Sequence, residues 1–534
     1  MQLSTSLSLT RKGNKGYSVP MIKEIHMRVL PQVAYDNKAL YDNLAKLAKV
    51  DKNSINGIQI KRQSIDARRY PVMVDMSVLT FINEEVAIPY EKTVYKDVHG
   101  AQKVIVVGEG PSGIFASLRL LELGLCPVVL EMGEDVHTRR KSIATMVGLN
   151  SVNEKSNYCF GEGGAGAFSD GKLYTRSKKR GNSDKVISQF CQHGADTSIL
   201  GSAHPHLGTD KLPGIIEQMR KTIVAHGGEV HFNTEVVSLI EDSEKVTGVT
   251  CADGTTFTGP VVLAIGHSAG NMYESLMQSG HKIEAKGIAI GARLEHPQFL
   301  IDQIQYKDKN GRGKFLPPAE YSFVTQAENR GVYSFCMCPG GFVVPSHTQN
   351  GHAVVNGMSP SNRGGKWANS AMVVELHPED LPPQFSGALG MLNFQKALEK
   401  KTWDCINDGL TIPVQRMSDF CNKKISSTLP ENSYPAGVMS ADLNTLFPAF
   451  VAARLKIGLE SFGRKARGFM TNEALLMATE SRTSSPVRIV RDTTSLMGKE
   501  GIFPCGEGAG YAGGIVSSAV DGMNVADAVA RYLA

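Results

Sequence analysis

The hydrophobic pattern changes period several times along the chain. Residues 22–29 and 70–82 are strand-like, while 37–48 has helical spacing with Leu40, Leu44 and Leu47 on one face, which predicts a small α+β unit at the start. Residues 103–131 then read as a short β-branched run, a glycine turn, an apolar helix and a second strand ending in an acid. Residues 210–226 predict an amphipathic helix with Pro213 in its first turn and Gly227-Gly228 at its close. Three alternating runs follow at 229–241, 245–252 and 255–258, with Asp253-Gly254 as a hairpin turn. After them, 260–265 predicts a buried strand running into Gly266 and His267.

Strands alternating with helices predict an α/β fold around a parallel sheet. At 534 residues the chain exceeds one ordinary core, and the pattern divides it into segments. A disordered extension is expected over 1–20 and a small α+β domain over 21–95, with 90–100 as linker. The first part of a nucleotide-binding domain occupies 96–275, an inserted α+β substrate domain 276–465, and the return to the nucleotide domain 466–534.

Composition excludes several classes. Hydrophobic residues at 42% and charged ones at 20% describe a globular protein, and a net charge of +5 over this length gives no reason to expect a nucleic acid or membrane partner. The apolar runs fall far short of the roughly 20 residues that span a bilayer. Nine scattered cysteines do not form a disulfide framework, which favours the cytoplasm. The basic run 61–69 reads as a solvated face, with docking to RNA or to a protein as the alternative.

Gly108-Glu109-Gly110-Pro111-Ser112-Gly113 follows a strand and opens a helix. In that setting Gly108 permits the tight turn, Gly110 lets backbone approach a pyrophosphate, and Gly113 lets the helix pack on the sheet. The helix N-terminus presents unpaired N–H groups and its positive dipole end to the phosphates. Glu131, 18 residues past Gly113, stands where a carboxylate accepts hydrogen bonds from the hydroxyls of an adenosine ribose. Far downstream, 501–515 runs through Gly506-Glu507-Gly508 into a final helix, which places a second anion-accepting helix end after a short strand. Two such ends suit one large ligand that meets the sheet twice.

With this order of motifs the chain resembles the FAD-dependent dehydrogenases of the glutathione-reductase-like superfamily. Most of residues 21–534 is similar to a group of bacterial FAD-dependent dehydrogenases with a small N-terminal domain ahead of the flavin domain. The resemblance implies a Rossmann-type FAD-binding domain, an inserted substrate domain and an FAD-dependent oxidoreductase. Carried over by position, Gly108, Gly110, Ser112, Gly113 and Glu131 would hold ADP, and Val236 would meet adenine through its backbone. Gly506, Glu507, Gly513, Gly514 and Ile515 would line the ribityl chain and flavin, and Pro111, Met132, Arg139, Gly166 and Gly266 complete the cofactor-binding set.

Hydride transfer between flavin N5 and a small organic substrate is the reaction this class implies. Lys172, His267 and Arg482 are the candidate catalytic residues: Lys172 for an anionic flavin or substrate, His267 for proton movement, Arg482 for a substrate carboxylate. Arg488 and Arg491 are weaker candidates of the same kind. Cys336 and Cys338 allow dithiol chemistry with the flavin as an alternative. His204 and His206 form an HxH pair without further ligands, so no metal is expected. A second dinucleotide unit is missing from the sequence, so electrons would come from the substrate, or from transient NAD(P)H or a protein donor.

Overall fold

The computed structural model describes residues 20–174 and 181–534, so the extension expected over 1–20 lies almost wholly outside the described residues. The chain divides into two compact units, one ending at Pro89 and the other running from Tyr90 to Ala534.

In the first unit three antiparallel strands are ordered Met21–Val29, Met73–Ile82, Ile55–Asp66. The helix Asn37–Ala48, capped by Asp36 accepting from the Ala39 N–H at 2.9 Å, buries Leu40, Leu44, Ala45 and Ala48 against them. Leu47, expected on that face, is exposed instead. The basic run lies largely on the Ile55–Asp66 strand and its following turn. There Arg68 bonds Asp66, which Arg28 of the first strand also bonds, and Lys61 faces Glu24.

In the second unit a five-stranded parallel sheet is assembled from the whole length of the chain, in the order Ile502–Pro504, Val261–Leu263, Lys103–Val107, Cys126–Leu130, Glu229–His231. Apart from Lys103 at its start and the half-buried edge strand Glu229–His231, its strands are apolar and buried because both faces are covered. Val104 and Val106 pack under the helices Pro111–Leu123 and Ile515–Leu533, while Ile105 and Val107 face Tyr273 and a three-stranded antiparallel meander. The run 229–241 is therefore two strands: its first residues join the parallel sheet, and Val236–Asp242 begins the meander. The stretch 90–100 is no free linker, since Val98 is buried and its N–H bonds the His226 carbonyl at 2.8 Å.

A second, eight-stranded sheet carries the inserted part. Its central strands are Arg330–Pro345, Trp367–Leu376, Ile288–Pro297 and Leu475–Glu480, paired antiparallel. Leu475–Glu480 lies in the segment expected to have returned to the nucleotide domain. The return comes later, through Val487–Ile489 and then Ile502–Pro504 in the parallel sheet.

The first and last helices of the parallel-sheet layer cross in close backbone contact. A Cβ added at Gly522 would lie 2.2 Å from the Ser112 carbonyl oxygen. In a free helix Gly522→Ala would gain about 1 kcal/mol of propensity, but here overpacking dominates, and a net loss of roughly 1–3 kcal/mol is expected. A thermal melt of the variant reads this as a lower Tm; a raised Tm would mean the two helices do not touch there.

Candidate functional site

A cleft of about 1010 Å³ opens along the carboxyl edge of the parallel sheet. Gly108 turns the chain out of the first strand at φ 97°, and a Cβ there would sit 2.5 Å from the Ala264 carbonyl oxygen. A Cβ added at Gly508 would likewise lie 2.3 Å from the Gly266 carbonyl oxygen. These contacts draw three distant loops together at one end of the sheet.

Two helix N-termini face the cleft. The helix Pro111–Leu123 starts from Gly110 and the helix Ile515–Leu533 from Gly514, and neither has a side-chain cap. Their first-turn N–H groups are thus left for an anion, which such an end stabilises by up to about 2 kcal/mol in partly buried settings. Cβ atoms built on Gly266 and Gly513 meet nothing within 4 Å, so at these positions the absent side chain leaves room for a ligand. Glu131 closes the other end. Its Oε2 accepts from Glu109 N–H at 2.9 Å, and its Oε1 from Gly133 and Gly161 N–H at 2.9 and 3.0 Å, which fixes the carboxylate at the wall.

Of the residues singled out from the sequence, the cleft is lined by Gly108, Gly110, Pro111, Ser112, Glu131, Met132, Gly166, Val236, Gly266, Glu507, Gly513, Gly514 and Ile515, and by Lys172, His267 and Arg482. Gly113, Gly506 and Arg139 stand behind the wall. Gly113 packs on the Gly108 carbonyl and Gly506 on Ser112. Arg139, expected among the cofactor ligands, is fully buried and donates to the carbonyls of Asn157, Gly161, Glu162 and Gly164. It ties the 157–166 loop together through these four carbonyls.

The candidate catalytic groups are more heavily partnered than their sequence context suggests. Lys172 Nζ sits 2.9 Å from Asp170 and 3.9 Å from Cys338 Sγ. Asp170 also receives Arg363, at 2.6 Å, and the Ser359 hydroxyl; burial works to raise its pKa, but Lys172 and Arg363 hold it well below the usual range. Arg482 is paired to buried Glu399 through Nε at 3.0 Å and NH2 at 2.8 Å, with NH1 donating to Thr348 at 2.6 Å. That geometry occupies the fork expected for a substrate carboxylate. His267 touches Ser268 at 2.8 Å, and burial together with Arg482 pushes its pKa down to about 4, so the imidazole is neutral at physiological pH.

Arg491 is bidentate to Asp521 and lies over the Tyr511 ring at 3.9 Å, away from the cleft, and Arg488 also stacks on Tyr511. His204 pairs with Glu320 and His206 with the Ser361 carbonyl, so the two rings serve different partners. Asp170, Arg363, Glu399 and Arg293 escape a reading of the sequence because each is matched by a residue far away in the chain. Glu507 and Glu480 are carboxyls that burial raises to about 7, against the pull of Lys286 and Arg293 respectively.

Residues 287–483 match the model of a family described as FAD-dependent protein, C-terminal domain-like, and residues 21–81 match a domain of unknown function, DUF8436. A protein of Clostridium beijerinckii, described as uncharacterized, is 37% identical over 513 residues, covering 92% of this chain and 96% of its own. The chain belongs to this family of FAD-dependent proteins. Among solved structures, a geranylgeranyl bacteriochlorophyll reductase-like protein of Thermoplasma acidophilum gives a TM-score of 0.34 at 13% identity, covering 81% of this chain and 79% of its own. The flavin-dependent brominase Bmp2 gives 0.36 at 14%, covering 80% and 78%. Likenesses of this size carry nothing about substrate or reaction.

FAD is the cofactor, and the cleft has the features that fit it: two uncapped helix ends, open glycine positions and a fixed carboxylate near the first. Gly513→Val places two methyl groups into space that no protein atom fills. The expected result is a flavoprotein that folds, with an unchanged apoprotein Tm, but purifies with little or no flavin absorbance; full flavin content would remove Gly513 from the site.

Glu507 sets a second test. A carboxyl whose folded pKa stands above its unfolded value adds stability that is complete below about 4.5 and is lost as pH rises to about 7. Removing the titration by Glu507→Gln should therefore shift apoprotein Tm in the variant's favour on going from about pH 5 to about pH 8. A pH-independent difference between variant and wild type would show that Glu507 is not desolvated.

Proposed function

We propose that this flavoprotein is an oxidoreductase that moves a hydride between FAD and a small organic substrate, within a glutathione-reductase-like arrangement. The observation that carries the reading is the continuity of one cleft. It runs from Glu131 and the first helix end, past the last helix end at Gly513, to side chains contributed by the eight-stranded sheet. A dinucleotide cofactor stretched between the helix ends would leave its redox ring beside the inserted domain, where Lys172, Cys336, Asn356 and Arg482 line the wall.

Bound FAD supplies the two-electron chemistry. The protein's own groups set its surroundings. Lys172 and the helix end at Ile515 place positive potential where negative charge would develop on reduction, and Glu507 holds a proton near neutrality. Arg482 and Glu399 act as a rigid buried pair that positions Thr348 and Ser268 at the cleft surface.

Anaerobic titration of the purified yellow protein tests the reading, with NADH, NADPH and a panel of small metabolites as reductants and the flavin band as readout. Bleaching by one of them within turnover time is the expected outcome. A flavin that dithionite bleaches but no metabolite or nicotinamide does would overturn hydride transfer from a small donor.

A further inference from the structure

One group on the cleft wall is left over from this account. Cys336-Met337-Cys338 lies in the strand Arg330–Pro345, where the register against Trp367–Leu376 slips twice, between Phe335 and Cys338 and again between Cys338 and Gly341. Bulges of this kind re-aim side chains and cluster beside active sites. Cys336 also adopts a φ of 45°, a conformation that non-glycine residues rarely hold and that is kept only where the surroundings enforce it. The result is that Cys336 lines the cleft while Cys338 is wholly buried behind it.

Two cations serve this pair. Arg293, fully buried, donates through NH2 to the Cys336 carbonyl at 2.7 Å and to Cys338 Sγ at 3.2 Å, and Lys172 Nζ approaches the same sulfur at 3.9 Å. Cys338 Sγ in turn reaches the Cys336 carbonyl at 3.4 Å. Glu480 pairs with Arg293 at 3.3 Å, and Asp170 holds the other flank of Lys172. A buried guanidinium and a half-buried ammonium beside two thiols are a setting in which one of the sulfurs ionises and the other stays protonated. The hydrogen bond from Cys338, with Lys172 and Arg293, holds the Cys336 thiol well below its ordinary value, while burial holds Cys338 above it.

We infer that Cys336 and Cys338 form a thiol–disulfide exchange pair on the wall of the FAD cleft, with Cys336 the attacking sulfur and a small-molecule disulfide as its substrate. The inference rests on the FAD reading only for the return step. In the forward step the Cys336 thiolate attacks one sulfur of the disulfide, an S–S bond forms to Cys336, the substrate's S–S bond breaks, and one thiolate leaves. Cys338 then loses its proton to solvent or to a neighbouring carboxylate and attacks Cys336 Sγ, which releases the second thiolate and leaves a Cys336–Cys338 bond. The substrate has gained two electrons and the pair has lost them. Two electrons, delivered to FAD by the hydride donor of the proposed reaction, and two protons return the pair to thiols.

FAD-loaded protein, reduced with dithiothreitol and freed of it, is treated anaerobically with cystamine, acid-quenched, alkylated and mapped by peptide mass. In wild type the peptide holding Cys336 and Cys338 should lose two hydrogens and resist alkylation. In Cys338→Ser, Cys336 should carry a cysteamine adduct, and in Cys336→Ser neither product should form. Cystamine should also restore the flavin band of dithionite-reduced wild type and fail to do so in Cys336→Ser. Flavin absorbance of the same samples separates the two claims. A wild type that holds FAD yet leaves both thiols alkylatable overturns the exchange pair alone, whereas a pair that exchanges while cystamine leaves the dithionite-reduced flavin bleached overturns the cofactor link.

Discussion

Everything in the second unit depends on bringing two helix N-termini, about four hundred residues apart in the chain, to the same end of one parallel sheet. Each end carries uncompensated N–H groups, so the approach is favourable only with an anion between or beside them. The contacts that permit it are backbone on backbone: Gly108 on Ala264, Gly508 on Gly266, Gly522 on Ser112. A methyl group at any of them would push one loop away from the others. Glycine is required at these points by proximity, and the motif pattern is the trace that this proximity leaves in the sequence.

The eight-stranded sheet supplies the opposite wall and works by a different principle. Charged residues on it and on the loops and helix packed around it are held in matched sets: Asp170 with Lys172 and Arg363, Arg293 with Glu480, Arg482 with Glu399. Removing one member of such a set leaves an uncompensated buried charge, a larger loss than the pair's own net gain. The sets therefore hold the wall in one arrangement. They also spread its positive charge over residues that lie far apart in the chain and meet only in the folded protein.

This difference explains what could be read from the sequence. The strand–turn–helix–strand unit at 103–131, the helix Leu212–Ala225, the Asp253-Gly254 hairpin and the final helix were legible because each is specified within a short window of residues. Strand Ile55–Asp66 was hidden by Lys61 and Arg62, whose charges mask its alternation. The run 229–241 looked like one strand because Asn233-Thr234 breaks it without disturbing the apolar period. Arg139 was assigned to the cofactor although its four carbonyl partners lie 18 to 25 residues away, a distance that periodicity does not sense. Likewise no local pattern joins Arg482 to Glu399 or Lys172 to Cys338.

The electrostatics of the cleft follow from which of its groups hold fixed charge. His267 is neutral at physiological pH through burial and the nearby Arg482, and His347, buried beside the same arginine, is pushed down to about 3. Positive potential is consequently permanent, carried by Lys172, Arg293, Arg482 and the two helix ends. The groups that titrate near neutrality are carboxyls, Glu480 beside Arg293 and Glu507 in the last glycine loop, both raised to about 7 by burial. A site built this way keeps its attraction for anions and thiolates over the whole neutral range while its exchangeable protons sit on acids. The charge of Cys336 bears on both of these carboxyls, so the sulfur and the two protons form one electrostatic unit on the cleft wall.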